Sequence, residues 1–200
     1  MIKMIVAEDQ KMLADAMKQL LELDEMIQVV AVALDGQDAW ESVQLHQPDV
    51  ILLDIEMPKM NGLEVLRRIR EHQIDTKVII VTTFKRPGYF EKAVANGVDA
   101  FVLKEQPIDD LLTTIHRALN DEKTYSSELM TRLFTQSNPL THREQMILTE
   151  IGEGLSHKTI AEKLYLSEGT IRNYASIIID KLEAENRFDA WKKAKELGWI

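Results

Sequence analysis

The stretch Val50-Ile51-Leu52-Leu53-Asp54-Ile55-Glu56-Met57-Pro58 decides the fold. An unbroken apolar run bounded by a turn signal reads as a strand buried on both faces, the habit of parallel sheets. Pro58 has no N–H with which to extend a ladder, so the strand ends before it and Asp54 surfaces at its carboxyl end. Open parallel sheets bind ligands in the crevice beyond those strand ends. Asp54 is therefore a candidate for chemistry, with a turn-capping Asp as the alternative. Its companions decide between the two.

Working outward, apolar strands at Met1–Ala7 and Ile27–Leu34 precede this stretch, and Lys77–Thr82 and Ala100–Leu103 follow it. Helical segments separate them. Lys11–Leu23 places Met12, Leu13, Ala16, Met17, Leu20 and Leu21 at the three-and-four spacing of an amphipathic helix. Gln37–His46 stops before Pro48, Asn61-Gly62 opens a helix through Arg70, Pro87–Asn96 ends at Gly97, and Pro107–Leu119 has its proline near the first turn. The alternation predicts an α/β unit over residues 1–120: a five-stranded parallel sheet, doubly wound and flavodoxin-like.

With 200 residues and 45% apolar content, the chain can bury one medium core plus a small one, and two domains are expected. It has no cysteine, which excludes disulfides and thiolate metal sites and fits a reducing compartment. No apolar run approaches the roughly 20 residues that span a bilayer, and the sequence opens on a strand rather than a signal peptide. A soluble cytoplasmic protein without membrane insertion is expected. The net charge of −9 is uneven: residues 1–120 carry 13 Lys+Arg against 20 Asp+Glu, and residues 139–200 carry 9 against 10. Any nucleic-acid contact must come from a local basic face in the second part.

The predicted topology gathers strand ends on one rim. Strand one delivers Glu8 and Asp9, strand three Asp54, strand four Thr82 and Thr83, strand five Lys104. Three crowded carboxylates either shift their pKa upward or share a cation, and a hard divalent ion with oxygen ligands, Mg²⁺ above all, relieves the repulsion. Such a rim suits phosphoryl transfer to a carboxylate, with Asp54 attacking in line, Lys104 neutralising charge and Thr82 bonding the product. Taken singly, Glu8-Asp9 also reads as a helix N-cap, Lys104 as a solvated charge and Phe101 as a core strand residue.

Residues 121–138 read as a linker, with one amphipathic helix over Thr124–Phe134 and a polar, turn-rich end. From Leu140 the pattern becomes four helices without strands. Thr141 and Glu144 form a capping box opening Glu144–Glu153, Ser156 can cap His157–Leu164, and Ser167 can cap a helix from Glu168 to Leu182. Two helices joined by so short a turn fit a helix-turn-helix, although a plain helical bundle has the same pattern.

The order Glu8-Asp9, Asp54 with Met57-Pro58 and Asn61-Gly62, Thr82-Thr83 and Lys104 resembles the receiver domain of two-component response regulators. The resemblance implies that Asp54 is the phosphoacceptor and that Glu8, Asp9, Asp54 and the backbone carbonyl of Glu56 bind Mg²⁺. It implies that Thr82 and Lys104 contact the phosphoryl oxygens, and that Phe101 is an aromatic switch packing inward as Thr82 moves. The resemblance also implies that Glu56 and Phe84 flank the path of the attacking water and alter the lifetime of the acyl phosphate. Residues 139–200, through Leu140-Thr141, Arg143-Glu144, Ile160-Ala161, Leu166-Ser167, Thr170-Ile171-Arg172-Asn173-Tyr174 and Lys181-Leu182, resemble the DNA-binding domain of the NarL/LuxR class. Across both parts the motifs resemble DesR-type members, which control membrane-lipid genes in Gram-positive bacteria.

The implied function is a phosphorylation-dependent transcription factor, not a metabolic enzyme. Its partners would be a sensor histidine kinase, double-stranded promoter DNA, a second copy of itself after phosphorylation, and RNA polymerase. Arg172, Asn173 and Ser176, in the N-terminal half of the third helix of residues 139–200, are the base-edge candidates. Thr170, Tyr174, Lys158 and Lys181 are expected on phosphates, while Arg187 reads equally as a structural ion-pair partner. Two other readings remain. One is a receiver that dimerises without phosphate. The other is a phosphohydrolase passing through an aspartyl phosphate, which would want Asp and Thr or Val where this chain has Glu56 and Pro58.

Overall fold

A computed structural model describes residues 1–83, 86–125 and 138–200. The chain divides into two compact units, residues 1–85 with 90–131 and residues 86–89 with 132–200.

The first carries β1 (Ile2–Ala7), α1 (Lys11–Leu21), β2 (Ile27–Ala33), α2 (Gly36–His46), β3 (Val50–Leu53), α3 (Gly62–Glu71), β4 (Lys77–Thr82), α4 (Pro87–Ala95) from residue 90 onward, β5 (Ala100–Leu103), α5 (Ile108–Leu119) and β6 (Thr124–Tyr125). The sheet runs β2-β1-β3-β4-β5-β6 with every neighbouring pair parallel. Strand order reverses between β1 and β3, the switch point at which open sheets form their crevice. All four residues of β3 are at most 1% exposed, as expected of a strand covered on both faces. Register does the rest: Ala7 lies opposite Leu53, so Glu8 and Asp54 leave the sheet side by side. The Asp54 N–H donates to the Ala7 carbonyl at 3.0 Å and holds the two exits together.

Local chemistry fixes where the helices begin. Asp35 and Asn61 accept from the backbone N–H of Asp38 and Glu64 at 2.9 Å each, N-caps that contribute about 1 kcal/mol apiece. The N-cap of α1 is Gln10, with no side-chain cap. Glu8 and Asp9 are thus not spent as caps.

The sheet has six strands where five were expected. Thr124-Tyr125, predicted to open a linker helix, instead pairs with Ala100 and Phe101 at the open edge of β5. The Thr124 N–H donates to the Asp99 carbonyl at 3.2 Å, and the Tyr125 ring meets Phe90 edge-on at 5.4 Å. Thr and Tyr favour extended backbone, and an unpaired edge with an aromatic neighbour outweighs a helical period begun at its end. The rest of the predicted helix, residues 126–134, lies outside the described residues.

The second unit contains α6 (His142–Gly152), α7 (His157–Leu164), α8 (Glu168–Lys181) and α9 (Arg187–Glu196). The capping box is formed: Glu144 N–H donates to Thr141 Oγ1 at 3.3 Å and Thr141 N–H to Glu144 Oε2 at 2.7 Å. Ser156 and Ser167 cap α7 and α8 as expected. The core gathers Ile147, Leu148, Ile160, Ile171, Ile178 and Ala190. Among the described residues no helix is long and apolar enough to cross a membrane.

Candidate functional site

At the rim of the first unit Glu8 and Asp54 are 1% and 5% exposed, while Asp9 is open to solvent. One carboxylate oxygen from each of the three lies within 4.8 Å of the others. Lys104, at the end of β5, places Nζ 2.5 Å from Glu8 Oε2 and 2.9 Å from Asp54 Oδ2. The remaining oxygens are also engaged. Ile55 N–H donates to Asp54 Oδ1 at 2.7 Å and Gln10 N–H to Glu8 Oε1 at 3.2 Å. Lys104 is therefore an internal partner rather than a solvated charge, and Asp54 does more than close a turn.

Burial pushes the Glu8 carboxyl above its ordinary range, and the Asp54 charge adds to this against the pull of Lys104. Burial pulls the Lys104 ammonium down, but its hydrogen bonds to Glu8 and Asp54 outweigh that and hold it above its usual range. Lys104 is a fixed cation at neutral pH. When ionised, the three carboxylates outnumber it, and an all-oxygen set with surplus negative charge fits a hard divalent cation such as Mg²⁺.

The loop after Asp54 closes on itself. Gly62 N–H donates to the Ile55 carbonyl at 2.9 Å, and a Cβ at Gly62 would lie 2.0 Å from the Asp54 carbonyl oxygen, so a side chain there forces the loop open. The Glu56 side chain is exposed. Thr82 is fully buried at the end of β4, and its carbonyl accepts from Lys104 N–H at 3.0 Å. Phe101 is fully buried with its ring 5.2 Å from Phe90 at 81°, and Phe90 in turn meets Tyr125. Phe90 and Tyr125 were not singled out from the sequence. The signal was weak, because their link to Phe101 exists only once β6 is paired. Phe84 lies outside the described residues.

In the second unit, Arg172, Asn173 and Ser176 are exposed on α8. Arg172 is bridged to Glu168 one turn earlier. Lys158 is exposed on α7, whereas Thr170 is half-buried with its hydroxyl 2.7 Å from Ser167 Oγ. Tyr174 is half-buried against the core. Lys181, expected on a phosphate, has Nζ 2.8 Å from the buried Glu144 carboxylate, so its charge already has a structural partner. The Arg187 guanidinium sits over the Phe188 ring at 5.0 Å.

The receiver-domain family of response regulators matches residues 4–116, and the luxR family of bacterial regulatory proteins matches residues 138–194. The chain belongs to the response regulators, as a receiver followed by a LuxR-type helix-turn-helix, and is a DNA-binding regulator of transcription. More particularly, it is 43% identical over 200 residues to the transcriptional regulatory protein DesR of Bacillus subtilis (strain 168), covering 100% of both chains. It is 31% identical to the nitrate/nitrite response regulator protein NarL of Escherichia coli (strain K12), across 93% of this chain and 91% of that one. A crystal structure of a LuxR-family DNA-binding response regulator from Staphylococcus aureus is 52% identical with a TM-score of 0.59, covering 60% of this chain and 100% of that chain.

Proposed function

We propose that Asp54 accepts a phosphoryl group from a sensor histidine kinase and that this event promotes dimerisation and binding to paired half-sites in promoter DNA. The observation that carries the reading is the Lys104 ammonium shared between the buried carboxylates of Glu8 and Asp54. An Asp54 oxygen forms the bond to phosphorus as the phosphorus–nitrogen bond of the donor phosphohistidine breaks, leaving a neutral imidazole on the kinase. Lys104 then exchanges a carboxylate partner for a phosphoryl oxygen, and the Thr82 hydroxyl donates to another. Mg²⁺, held by Glu8, Asp9, Asp54 and the Glu56 carbonyl, supplies neutralising charge to the phosphoryl oxygens.

Moving a two-state equilibrium from 1:99 to 99:1 takes about 5.5 kcal/mol of differential stabilisation. New bonds from Thr82 and Lys104 are the source of that difference, and the movement of Thr82 is passed to Phe101, buried on the adjoining strand. Two DNA-binding units on one duplex raise affinity through effective concentration, so dimerisation is the natural output. Arg172, Asn173 and Ser176 read base edges, with Thr170, Tyr174 and Lys158 on the backbone. Lys181 contributes there only in so far as Glu144 releases it. The family resemblance extends the proposal to genes of membrane lipids or membrane stress.

Incubating the chain with a small-molecule phosphodonor and Mg²⁺, then reading acid-stable phosphate and molecular mass, tests this. Wild type gains one phosphoryl group and doubles in mass. Asp54→Ala does neither, and incorporation at the wild-type rate in that variant would overturn the assignment.

A further inference from the structure

The loop joining β3 to α3 is fastened on its far side to the start of α2. Gly36, the first residue of α2, donates its N–H to the Pro58 carbonyl at 3.2 Å. A Cβ built on Gly36 would lie 1.8 Å from the Met60 carbonyl oxygen, so the two backbones touch where any side chain would separate them. The preceding residue completes the attachment. One oxygen of Asp35 pairs with Lys59 Nζ at 2.6 Å, while the other caps α2 through Asp38 N–H. Three successive loop residues, Pro58, Lys59 and Met60, thus rest on Asp35 and Gly36. Lys59 itself has φ 63°, a left-handed conformation that a side-chain-bearing residue keeps only when its surroundings impose it.

The near side of the same loop begins at Asp54 and closes through Gly62 N–H on the Ile55 carbonyl. Glu56 lies between these two attachments. Lys59 is largely exposed, and a surface ion pair adds little to the stability of a fold. Its consequence is local geometry.

We propose that Asp35 and Gly36 are positioning residues for the phosphoacceptor site: by clamping Pro58, Lys59 and Met60 they hold the Glu56 backbone in register with the acidic pocket, and so set Mg²⁺ affinity and the rate of phosphoryl transfer to Asp54. The inference rests on the reading of Asp54 given above. Neither residue touches metal or phosphorus, and both act through the loop. A small displacement of a reacting group is enough to cost a large factor in rate.

Three single variants and one double variant test it in the full chain: Gly36→Ala, Asp35→Asn, which keeps the cap acceptor but loses the ion pair, Lys59→Met, and Asp35→Asn combined with Lys59→Met. Each is followed by amide hydrogen exchange over residues 55–60, Mg²⁺ calorimetry and phosphorylation rate. Gly36→Ala is expected to speed loop exchange and to lower Mg²⁺ affinity and phosphorylation rate by about tenfold or more. Asp35→Asn and Lys59→Met each lower both by about two- to threefold, and the double variant is no worse than either single one because both remove one bond. Wild-type affinity and rate in a folded Gly36→Ala, or additive losses in the double variant, overturn the clamp. If Gly36→Ala does not fold, wild-type loop exchange and affinity in both Asp35→Asn and Lys59→Met do so instead. A wild-type chain that takes up neither Mg²⁺ nor phosphate, with loop exchange still quickened by the variants, overturns the phosphoacceptor reading and leaves the loop attachment as a structural one.

Discussion

Each unit buries a glutamate against a lysine from a distant element, and the two pairs are poised in opposite ways. Glu8 and Glu144 are 1% and 4% exposed, so burial does not distinguish them. Their partners do. Lys181 and the Thr141 N–H both donate to the Glu144 carboxylate. Burial pushes the Glu144 carboxyl up, but these donors outweigh it and hold the group below the usual carboxylate range. Lys104 is divided between Glu8 and Asp54, and the Glu8 carboxyl is held above the ordinary range. One pair sets a single ammonium against a single carboxylate, while the other divides one ammonium between two.

The largest effect expected is on cation uptake. Titrating the chain with Mg²⁺ should give a binding isotherm in wild type, lose it in Asp9→Asn and Asp54→Ala, and leave it unchanged in Glu144→Gln. Equal loss in all would erase the distinction between the two sites. Next comes stability. Glu144→Gln removes the charge bound by Lys181 and the Thr141 N–H and should cost about 1–3 kcal/mol of denaturant stability in the second unit. Glu8→Gln, which relieves like-charge crowding, should cost its unit less, and a greater loss there would reverse the ranking. On the surface of the second unit, Arg172→Ala should reduce discrimination between operator and mismatched duplexes by about 1–3 kcal/mol, whereas Lys158→Ala should weaken all duplexes alike.

The smallest effect is in pH dependence. The folded value of Glu144 lies below the unfolded 4.5, so its contribution to stability is fully present above that value and is lost as pH falls through the folded one. Melting followed from pH 6 downward should therefore show a steeper acid loss in wild type than in Glu144→Gln; parallel curves would remove the linkage.

Much of the fold was legible because a strand buried on both faces must be apolar at every residue, and Val50–Leu53 and Ala100–Leu103 are. The rim was legible for a related reason: the residue that follows a buried strand sits at the crevice whatever the details of packing, which placed Glu8, Asp54 and Lys104. Pairings between distant elements left no such trace. Nothing near Lys181 announces Glu144, 37 positions away, and the partner of Lys59 lies in the turn before another helix. β6 escaped because two residues make no period, and its stability comes from the neighbouring edge of β5 and the Phe90 ring.

Lys104 lends the resting protein its own counterion. A pocket of crowded acids with nothing but metal to quiet it would tie folding to the supply of that metal. Here two of those acids already have a lysine between them.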